Sequence, residues 1–513
     1  MLKLVPLTFL PDSVDGSSFV ASIGRYQTFD SRPLPNPNVD PLWLPDKQEM
    51  VSMLSEIRHL IQDGKDDTLS GGVCLSMSTL TTEETYRPLA FYHVCFALAS
   101  SIYHANFRHS EQHTGEAYFK RARLLLGNPL DTVRFTLSDV PVLNLMGFYL
   151  IELNRRDAAY MYVSLAIHIA VIHGAFRTCH DEASNRTFWT LYILDRWLSV
   201  LMGRPPTLAD EAIRLPLPRD SNAMPPSAGI RANIELAKIS GHIVCETFKI
   251  APRNQSSGSS TQNIDKALNM LENWQTQLPP ELDFNSNEPS CNLLYMAQNQ
   301  FIVLTTRPIF LAAVKQAVAA RFHGLNWSIE QHTQAAHIIA CSRAAVENLV
   351  LAQRLHRKRK FLQSGLHYLF NATVVLLLNR IASSASRHHT PIFNRHKDTT
   401  SPSEQLHTAE VSFAISVFEQ ESKTGTHYPK DCCQVLQDLK ALVDRYLSQN
   451  LGTNHRESNM ELSHTPPISA NAVGHIARIG HMQMSWAGEH GWHQDLTAWK
   501  QSEGLHVQES MLI

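Results

Sequence analysis

An acid and a base stand side by side in an otherwise apolar part of the sequence. Residues 184–206 are SNRTFWTLYILDRWLSVLMGRPP, in which Asp195 is the only acid and Arg196 follows it directly. A buried carboxylate needs hydrogen-bond donors or a cation, because burying it alone is costly. The nearby cations are Arg196, Arg204 and Arg186. These residue types support either a structural ion pair or an anion contact in a binding pocket.

The Gly-Arg-Pro-Pro turn bears on this choice. Ser184 is the expected N-cap and Gly203 the residue with positive φ that ends the helix. Pro205 holds Arg204 extended, and a second proline stiffens the chain that follows. Such a turn could aim the guanidinium back at the helix. We therefore expect a structural pair between Asp195 and Arg204; the alternative is a ligand or partner pocket in which Arg204 contacts an anion.

Other residues with suitable types for catalysis or metal binding lack partners at the right spacing. His109 and His113 lie four residues apart, but no glutamate follows the first histidine directly and no further zinc ligands accompany them. Asp63, Asp66 and Asp67 would suit Mg²⁺ but have no second acidic motif. Nucleophile elbows, phosphate-binding loops and dinucleotide-binding motifs do not occur in the sequence. We predict no catalytic residue, no metal site, no cofactor and no enzyme activity.

One dense basic run occurs, RLHRKRK at residues 354–360. Such a run fits either a solvated helix end or a nuclear-import segment. Its basic residues are Arg354, Arg357, Lys358, Arg359 and Lys360.

The elements that must position these residues are helical throughout. Apolar residues recur at helical spacing, and strand patterns are scarce. A helix such as 184–202, apolar on nearly all sides, is expected to be buried between others. We predict an all-α fold, an irregular multi-helix array without a solenoid repeat. The predicted helices are 47–62, 86–107, 115–126, 137–152, 158–173, 184–202, 230–250, 262–277, 290–319, 330–356, 361–382 and 431–448.

Composition shifts divide the chain into five segments. Residues 1–48 form an extended, linker-like segment rich in Pro, Ser, Asn and Asp; 49–382 form the helical domain. A polar loop is expected at 383–410 and C-terminal helices at 411–449. We expect residues 450–513 to be mostly disordered, with a candidate activation segment in which tryptophans alternate with acids.

Charge and cysteine usage narrow the function classes. The 513 residues hold 45 Lys and Arg against 47 Asp and Glu, a net charge of -2. This balance argues against strong non-specific DNA affinity. The eight cysteines stand mostly alone in apolar stretches, as in a reduced intracellular protein. No uninterrupted apolar stretch reaches bilayer-spanning length, so we expect no membrane interaction.

Four motifs together resemble a known family. They are GEAYFKRARLLL at 115–126, YMYVSLAIHIAVIHGAF at 160–176, RTFWTLYILDRWLSVLMGRPP at 186–206 and DEAIRLPLP at 210–218. Their order and spacing resemble the fungal-specific transcription factor regulatory domain, the middle homology region of fungal zinc-cluster activators of the xylanolytic type. The resemblance is tightest over 115–218, and the helices to about 382 fit its looser C-terminal half. The family's signature positions here are Trp189, Asp195, Arg196, Gly203, Arg204, Pro205 and Pro206.

The resemblance implies a nuclear transcription regulator acting on a gene set or gene cluster. Its partners would be the transcription machinery or co-regulator proteins, with a small-molecule inducer and a homodimer as further candidates. Family members bind DNA through an N-terminal zinc module built from closely spaced cysteine ligands. Here the first cysteines are Cys74 and Cys95, and the adjacent Cys432 and Cys433 have no second pair. No zinc module is therefore expected within these residues.

This departure leaves three explanations open. The protein acts through partners without touching DNA, an upstream exon is missing from the gene model, or a gene-cluster regulator has lost its DNA-binding module. DNA contact would then come only through a missing module or a partner. Besides a transcription regulator, two other classes stay open: a ligand-sensing or scaffold protein of the same domain family, and a helical enzyme.

Overall fold

All regular structure in the described part of the chain is helical. The computed structural model describes residues 34, 37–61, 86–102, 115–127, 135–221, 224–248, 260–357, 362–386, 402–424 and 427–448. The α-helices of these residues are α1 Lys47–Ile61, α2 Leu89–Ile102, α3 Gly115–Leu126, α4 Asp139–Glu152, α5 Arg156–Ile172, α6 Glu182–Met202, α7 Ala228–His242, α8 Ser260–Thr276, α9 Pro289–Phe322, α10 Ala335–His356, α11 Gln363–Ser386, α12 Pro402–Glu421 and α13 His427–Ser448. The predicted all-α class is confirmed. The expectations for 1–33 and 450–513 lie outside the described residues.

The chain forms two compact units. The first contains described residues within Phe29–Gln298 and Leu351–Gly365, and the second contains described residues within Asn299–Val350 and Leu366–Glu489. The Asp195 and Arg196 pair lies in the first unit.

The core of the first unit is built around α2, whose sequence LAFYHVCFALASSI is apolar on almost every side. This helix packs against α1, α3 and α4. Helices α4 and α5 form a neighbouring pair, and α6 packs against α5 and α7. Because α6 is covered from several directions, its polar residues must find partners inside the protein.

The end of the N-terminal segment belongs to this core rather than to a free linker. Asp46 accepts a hydrogen bond from the backbone N–H of Glu49 at 2.8 Å and so begins α1. The guanidinium of Arg121 lies 4.4 Å over the ring of Trp43 and donates to the carbonyl of Asp40 at 3.1 Å. The linker-like interpretation of 1–48 is therefore wrong for residues 40–48.

The predicted polar loop at 383–410 is also wrong in part. Helix α11 continues to Ser386, and α12 begins at Pro402, so only 387–401 lies outside the described residues. Proline is favoured in the first turn of a helix because its fixed φ suits that position. The helix formers Glu404, Gln405 and Leu406 follow it, and they outweigh the polar composition on which the loop prediction rested.

Two of the described helices, α9 and α10, are long and apolar enough to cross a membrane by length and composition alone. The expectation that no stretch reaches spanning length needs this correction, because scattered polar residues interrupt the run without lowering its average hydropathy much. The apolar window of α9 is mostly buried and that of α10 half buried, as in core helices. Buried polar side chains also line α9: Asn292, Gln298, Asn299, Gln300, Thr305, Thr306 and Arg307.

Candidate functional site

Helix α6 is bounded by one residue at each end. Asp181 is the N-cap, and its carboxylate accepts a hydrogen bond from the backbone N–H of Ser184 at 2.7 Å. The expected cap, Ser184, therefore lies in the first turn. At the other end Gly203 adopts φ 61°, a left-handed conformation that favours glycine, and Arg204 N–H donates to the carbonyl of Ser199 at 3.0 Å. The predicted role of Gly203 is confirmed.

Asp195 and Arg196 form a buried ion pair. Both side chains are fully buried, and Arg196 Nη1 lies 2.5 Å from Asp195 Oδ2. The cation that balances the acid is therefore its sequence neighbour, one of the three candidates named from the sequence.

The turn after α6 supplies the remaining donors to Asp195. The hydroxyl of Thr207 donates to Asp195 Oδ1 at 2.6 Å, and its backbone N–H donates to Oδ2 at 3.1 Å. Pro205 and Pro206 directly precede Thr207 and restrict the chain that carries it. The two prolines thus help to place these two donors on the carboxylate.

Arg196 also binds the segment that follows this turn. Its Nη2 donates to the carbonyl of Leu208 and to Asp210 Oδ1, the latter at 2.6 Å. The ring of Tyr192 lies 4.3 Å from the guanidinium, and its hydroxyl donates to the same Asp210 oxygen at 2.7 Å. Arg196 therefore ties α6 to residues twelve and fourteen positions further along the chain.

Helix α7 approaches this arginine through a glycine. A Cβ placed on Gly241 would lie 3.3 Å from both Cδ and Nε of Arg196. A larger residue here would push against a side chain that its hydrogen bonds already fix. We call Tyr192, Asp195, Arg196, Thr207 and Asp210 the corner network.

Electrostatics favour a permanently charged arginine in the corner network. Burial is the largest influence on the pKa of Arg196 and lowers it, but Tyr192, Asp195 and Asp210 together raise it more, so that the net pKa is raised. Burial raises the pKa of Asp195, against the opposing effects of Arg196 and Thr207. The cation stays in place at any ordinary pH, as a structural ion pair requires.

Arg204 lies elsewhere. Its Nη2 pairs with Asp157 of α5 at 2.5 Å, and its guanidinium lies 5.0 Å over the ring of Tyr160. The hydroxyl of Tyr160 donates to the carbonyl of Pro205 at 3.2 Å. The expected pair between Asp195 and Arg204 is therefore wrong: the extended chain before Pro205 directs Arg204 across to α5, and its side chain stays 40% exposed.

Trp189, a further signature residue, and Arg186 hold parts of the segment after α6 against that helix. Trp189 is buried, and its indole N–H donates to the carbonyl of Pro216 at 2.9 Å. Arg186 pairs with Glu182 and donates to the carbonyls of Arg219 and Pro225, both at 2.6 Å. The predicted burial of Trp189 is confirmed, and α6 serves as the support on which this segment lies.

The basic run is not a uniform exposed patch. Arg354 donates to the carbonyl of Phe284 at 2.9 Å and lies 5.3 Å over its ring. Arg357 is exposed, whereas residues 358–360 lie outside the described residues. Only part of the run named from the sequence is thus shown in contact with solvent.

Among the described residues no group of three or more His, Cys, Asp or Glu could hold a metal ion. The pairs named from the sequence, His109 with His113 and the acids at 63–67, lie outside these residues. The described cysteines are free thiols.

Sequence reasoning missed Thr207, Tyr192 and Asp210 as partners of the ion pair. Asp210 opens the DEAIRLPLP motif, and an acid only four residues after Pro206 was the available signal. Tyr192 lies four residues before Arg196, and residues at this spacing meet on a helix face. Adjacent helical residues usually point apart, so the observed pairing of Asp195 with Arg196 does not follow from their spacing alone.

Comparisons with known proteins place this region in a family. Residues 66–276 match the family described as Fungal specific transcription factor domain, and this range contains α6 and the whole corner network. No solved structure matches the chain. The match ends at residue 276, so the assignment of 277–382 to the same domain stays a prediction.

Curated relatives are fungal proteins with regulatory names. An uncharacterized transcriptional regulatory protein of Schizosaccharomyces pombe is 28% identical over 243 residues, which are 43% of this chain and 31% of the relative. The thiamine repressible genes regulatory protein thi1 of the same organism is 26% identical over 273 residues, 49% of this chain and 34% of the relative. An ABC-transporter-regulating transcription factor of Aspergillus fumigatus is 28% identical over 114 residues, which are 20% of this chain and 12% of the relative. The chain spans about a third of the first two relatives.

The fold and the corner network define the class of the described residues: an all-helical unit in which a buried ion pair fixes a helix to its following segment. Within this chain, residues 66–276 are similar to the fungal specific transcription factor domain family.

Proposed function

We propose that this protein is a fungal transcription regulator that controls a target gene set or gene cluster through its helical domain. The observation that carries the proposal is the family match over residues 66–276, which contains the intact corner network. The regulatory names of the relatives support it. These names indicate regulators rather than enzymes.

A tethering experiment tests this function directly. The full chain is fused to a heterologous DNA-binding domain in a fungal host, and a reporter carrying the matching sites is measured. We expect the fusion to change reporter output relative to the DNA-binding domain alone, and deletion of the gene to change the transcripts of a defined gene set. An unchanged reporter together with an unchanged transcript profile would contradict the proposal.

We further propose that DNA contact comes through an additional module or a partner. Closely spaced cysteine pairs of the zinc-module type are absent from the printed sequence. Translating the DNA upstream of the codon for Met1 tests the first route, because a cysteine-rich exon there would supply the module. Co-purification of a DNA-binding protein with the tagged chain tests the second.

A ligand-sensing or scaffold protein of the same family is the second candidate function. Within these 513 residues no cysteine pairs of the zinc-module type occur, which fits a helical domain that acts by binding other molecules. Chromatin occupancy separates the two candidates. We expect the regulator to be enriched at discrete promoters, directly or through its partner, whereas a scaffold acting away from DNA would show no enrichment.

We propose that the protein acts in the nucleus and that the basic run contributes to its import. Arg354 is engaged with Phe284, so the import signal would rest on Arg357 and residues 358–360. A fluorescent fusion with these four residues changed to alanine should shift from nucleus to cytoplasm. Arg343→Ala, which removes an exposed charge from α10, is the control and should stay nuclear. Equal nuclear signal in all variants would contradict the role of the run.

A further inference from the structure

The second unit contains a buried arginine that no acceptor among the described residues compensates. Arg307 on α9 is 3% exposed, and its Nε is buried without a hydrogen-bond partner. No hydrogen bond or ion pair joins this guanidinium to any described residue, and the nearby Cys341 thiol stays neutral because burial raises its pKa to about 12. Burial lowers the pKa of Arg307 to about 10, which still leaves it charged at neutral pH. A buried cation of this kind requires an anionic or hydrogen-bonding partner.

Helices α9 and α10 run antiparallel beside this arginine. Cys341 lies next to Thr306 and Arg307, and Glu347 lies next to Asn299. Residue numbers therefore rise along α9 as the numbers of the neighbouring residues on α10 fall. Asn348, seven residues after Cys341, is on the same face of α10 and lies near the level of Gln300.

Unpaired amides accompany the arginine on this shared face. Both polar side-chain atoms of Asn348 and both of Gln300 are buried without a hydrogen-bond partner. Asn348 is fully buried, and Gln300 is 2% exposed. Several buried polar atoms lacking partners in one small region are unusual, because protein interiors normally satisfy such groups.

The side-chain directions bring two of these groups together. Side chains on a helix lean towards its N-terminus, so Arg307 leans towards Val303, and Asn348 leans towards Ala344. Val303 and Ala344 lie at the same level of the antiparallel pair. Alanine fills little volume at that level, so helix geometry predicts that the guanidinium and the amide converge there.

We propose that Arg307 and Asn348, with Gln300 beside them, form a buried binding site for a small oxyanion, a carboxylate or a phosphate. Hydrogen-bond donors outnumber acceptors in this set. The donors are a guanidinium and two amide NH₂ groups, and the acceptors are two amide oxygens. A planar fork of N–H donors matches the oxygens of carboxylate and phosphate groups. The site lies outside residues 66–276 and uses none of the family-signature positions. Only the role of this site, that of an effector site, rests on the proposed function.

Binding is tested on the purified full chain with two classes of probe. Inorganic phosphate and sulfate form one arm, and malonate and citrate form the other; sodium chloride at matched ionic strength is the control. Calorimetric titration and thermal melting are measured for each probe. We expect one arm to bind saturably and to raise the melting temperature, because a ligand that binds only the folded state stabilises it. The responding arm identifies the class of oxyanion.

Three variants connect that binding to the site. Arg307→Met should abolish the response of the melting temperature to the anion while leaving the unliganded protein at least as stable, since it removes an uncompensated buried charge. Asn348→Leu, which keeps the volume but removes the amide, should weaken binding by roughly tenfold or more. Arg343→Met, an exposed charge removal on α10, should bind as wild type does.

Two outcomes would overturn the site: no probe of either arm binds, or Arg307→Met binds as tightly as wild type. If Arg307→Met does not fold, wild-type affinity in Asn348→Leu overturns the site equally. These results are independent of transcription. A chain that binds the oxyanion but fails the tethering experiment would contradict the proposed function alone, and a chain that passes tethering but binds nothing would contradict the site alone.

Discussion

The corner network depends on each charge keeping its partner. Removing Asp195 would leave Arg196 buried beside one remaining acid, Asp210, whose side chain is 29% exposed. Removing Arg196 would leave Asp195 with Thr207 as its donor. Stranding one charge of a buried pair costs more than the pair itself contributes, because the remaining ion keeps its desolvation penalty.

Asp195→Ala and Arg196→Met should each lower the free energy of unfolding by about 3 to 5 kcal/mol. The double variant should lose clearly less than the sum, because contacting residues couple by about 0.5 to 3 kcal/mol. Urea unfolding followed by tryptophan fluorescence gives the three values. Arg204→Ala is the matched control and should cost less than about 1 kcal/mol, as expected for a partly exposed pair with Asp157.

A loss for Arg204→Ala as large as for Arg196→Met, or strict additivity in the double variant, would contradict the network. Regulatory output, normalised to protein abundance, should stay at the wild-type level in Arg204→Ala if the residue is structural. A lost inducer response at unchanged stability would instead favour the anion-contact alternative for Arg204.

A second residue-scale prediction concerns His93, buried on α2 between Phe96 and Tyr118. Burial, aided by the charge of Arg121 and opposed by the nearby carbonyl of Pro41, lowers the pKa of His93 from 6.5 to about 4. The unfolded chain therefore takes up a proton near pH 6.5 that the folded chain refuses until about pH 4. Stability falls as the pH drops through this window, by up to about 3 kcal/mol.

His93→Phe should flatten this part of the stability profile, because phenylalanine keeps the ring but cannot titrate. Unfolding free energies of both proteins between pH 7 and about pH 4 give the comparison. Carboxylates contribute equally to the two profiles, so their difference isolates His93. Parallel profiles would show that His93 takes up a proton in the folded chain at the same pH as in the unfolded chain.

At the scale of elements, the α4 and α5 pair depends on a glycine. A Cβ on Gly147 would lie 2.6 Å from Cγ2 of Val163 on the facing helix, closer than real Cβ contacts come. The two helices could not approach as closely with any larger residue at that position. A Cβ on Gly229, in the first turn of α7, would have no atom within 4 Å. This glycine is therefore the natural comparison.

Gly147→Ala should lower the free energy of unfolding by about 1 to 3 kcal/mol, the usual cost of overpacking. Gly229→Ala should leave stability unchanged or raise it by up to about 1 kcal/mol, because alanine is the better helix former. Chemical unfolding of both variants provides the measurement. Equal gains in stability for both would mean that α4 and α5 are not in close contact at Gly147.

Helical periodicity predicted most helices of this fold. Both the correct and the incorrect predictions have a physical explanation. Helix α3 begins and ends as predicted, because its apolar stripe is bounded by Gly115 and Gly127. The start of helix α12 was placed too late, within the C-terminal helices expected from residue 411, because its first turns are polar and periodicity detects only a distinct apolar face. Tertiary contacts of Asp40 and Trp43 could not be predicted, since composition alone made their segment resemble a linker.

The sequence predicted Asp195 and its candidate arginines, but not the pairing that the structure shows nor the partners Thr207, Tyr192 and Asp210. That Asp195 would be buried and bound to an arginine followed from the cost of an isolated charge. Which arginine it binds depends on the direction in which the chain leaves Gly203, and two prolines leave more than one direction open. Local sequence therefore identified the charges, whereas the path of residues 203–210 decided their partners.

At the scale of the whole molecule, charge decides how the chain meets DNA. Non-specific affinity comes from cations that neutralise phosphates, and it weakens steeply as salt rises. Here 45 Lys and Arg are balanced by 47 Asp and Glu. The described arginines of the corner network and its surroundings are already engaged: Arg196 with Asp195 and Asp210, and Arg204 with Asp157.

The purified chain of 513 residues should therefore bind no DNA sequence specifically at physiological salt. Footprinting across the promoters of its regulated genes should show no protected site, and any retardation at low salt should vanish as salt rises, because it would be electrostatic only. A fusion of the same chain to a heterologous DNA-binding domain is the control and should protect that domain's site. A footprint that survives physiological salt and maps to one sequence would show instead that these helices read DNA themselves, and the additional module or partner would then be unnecessary.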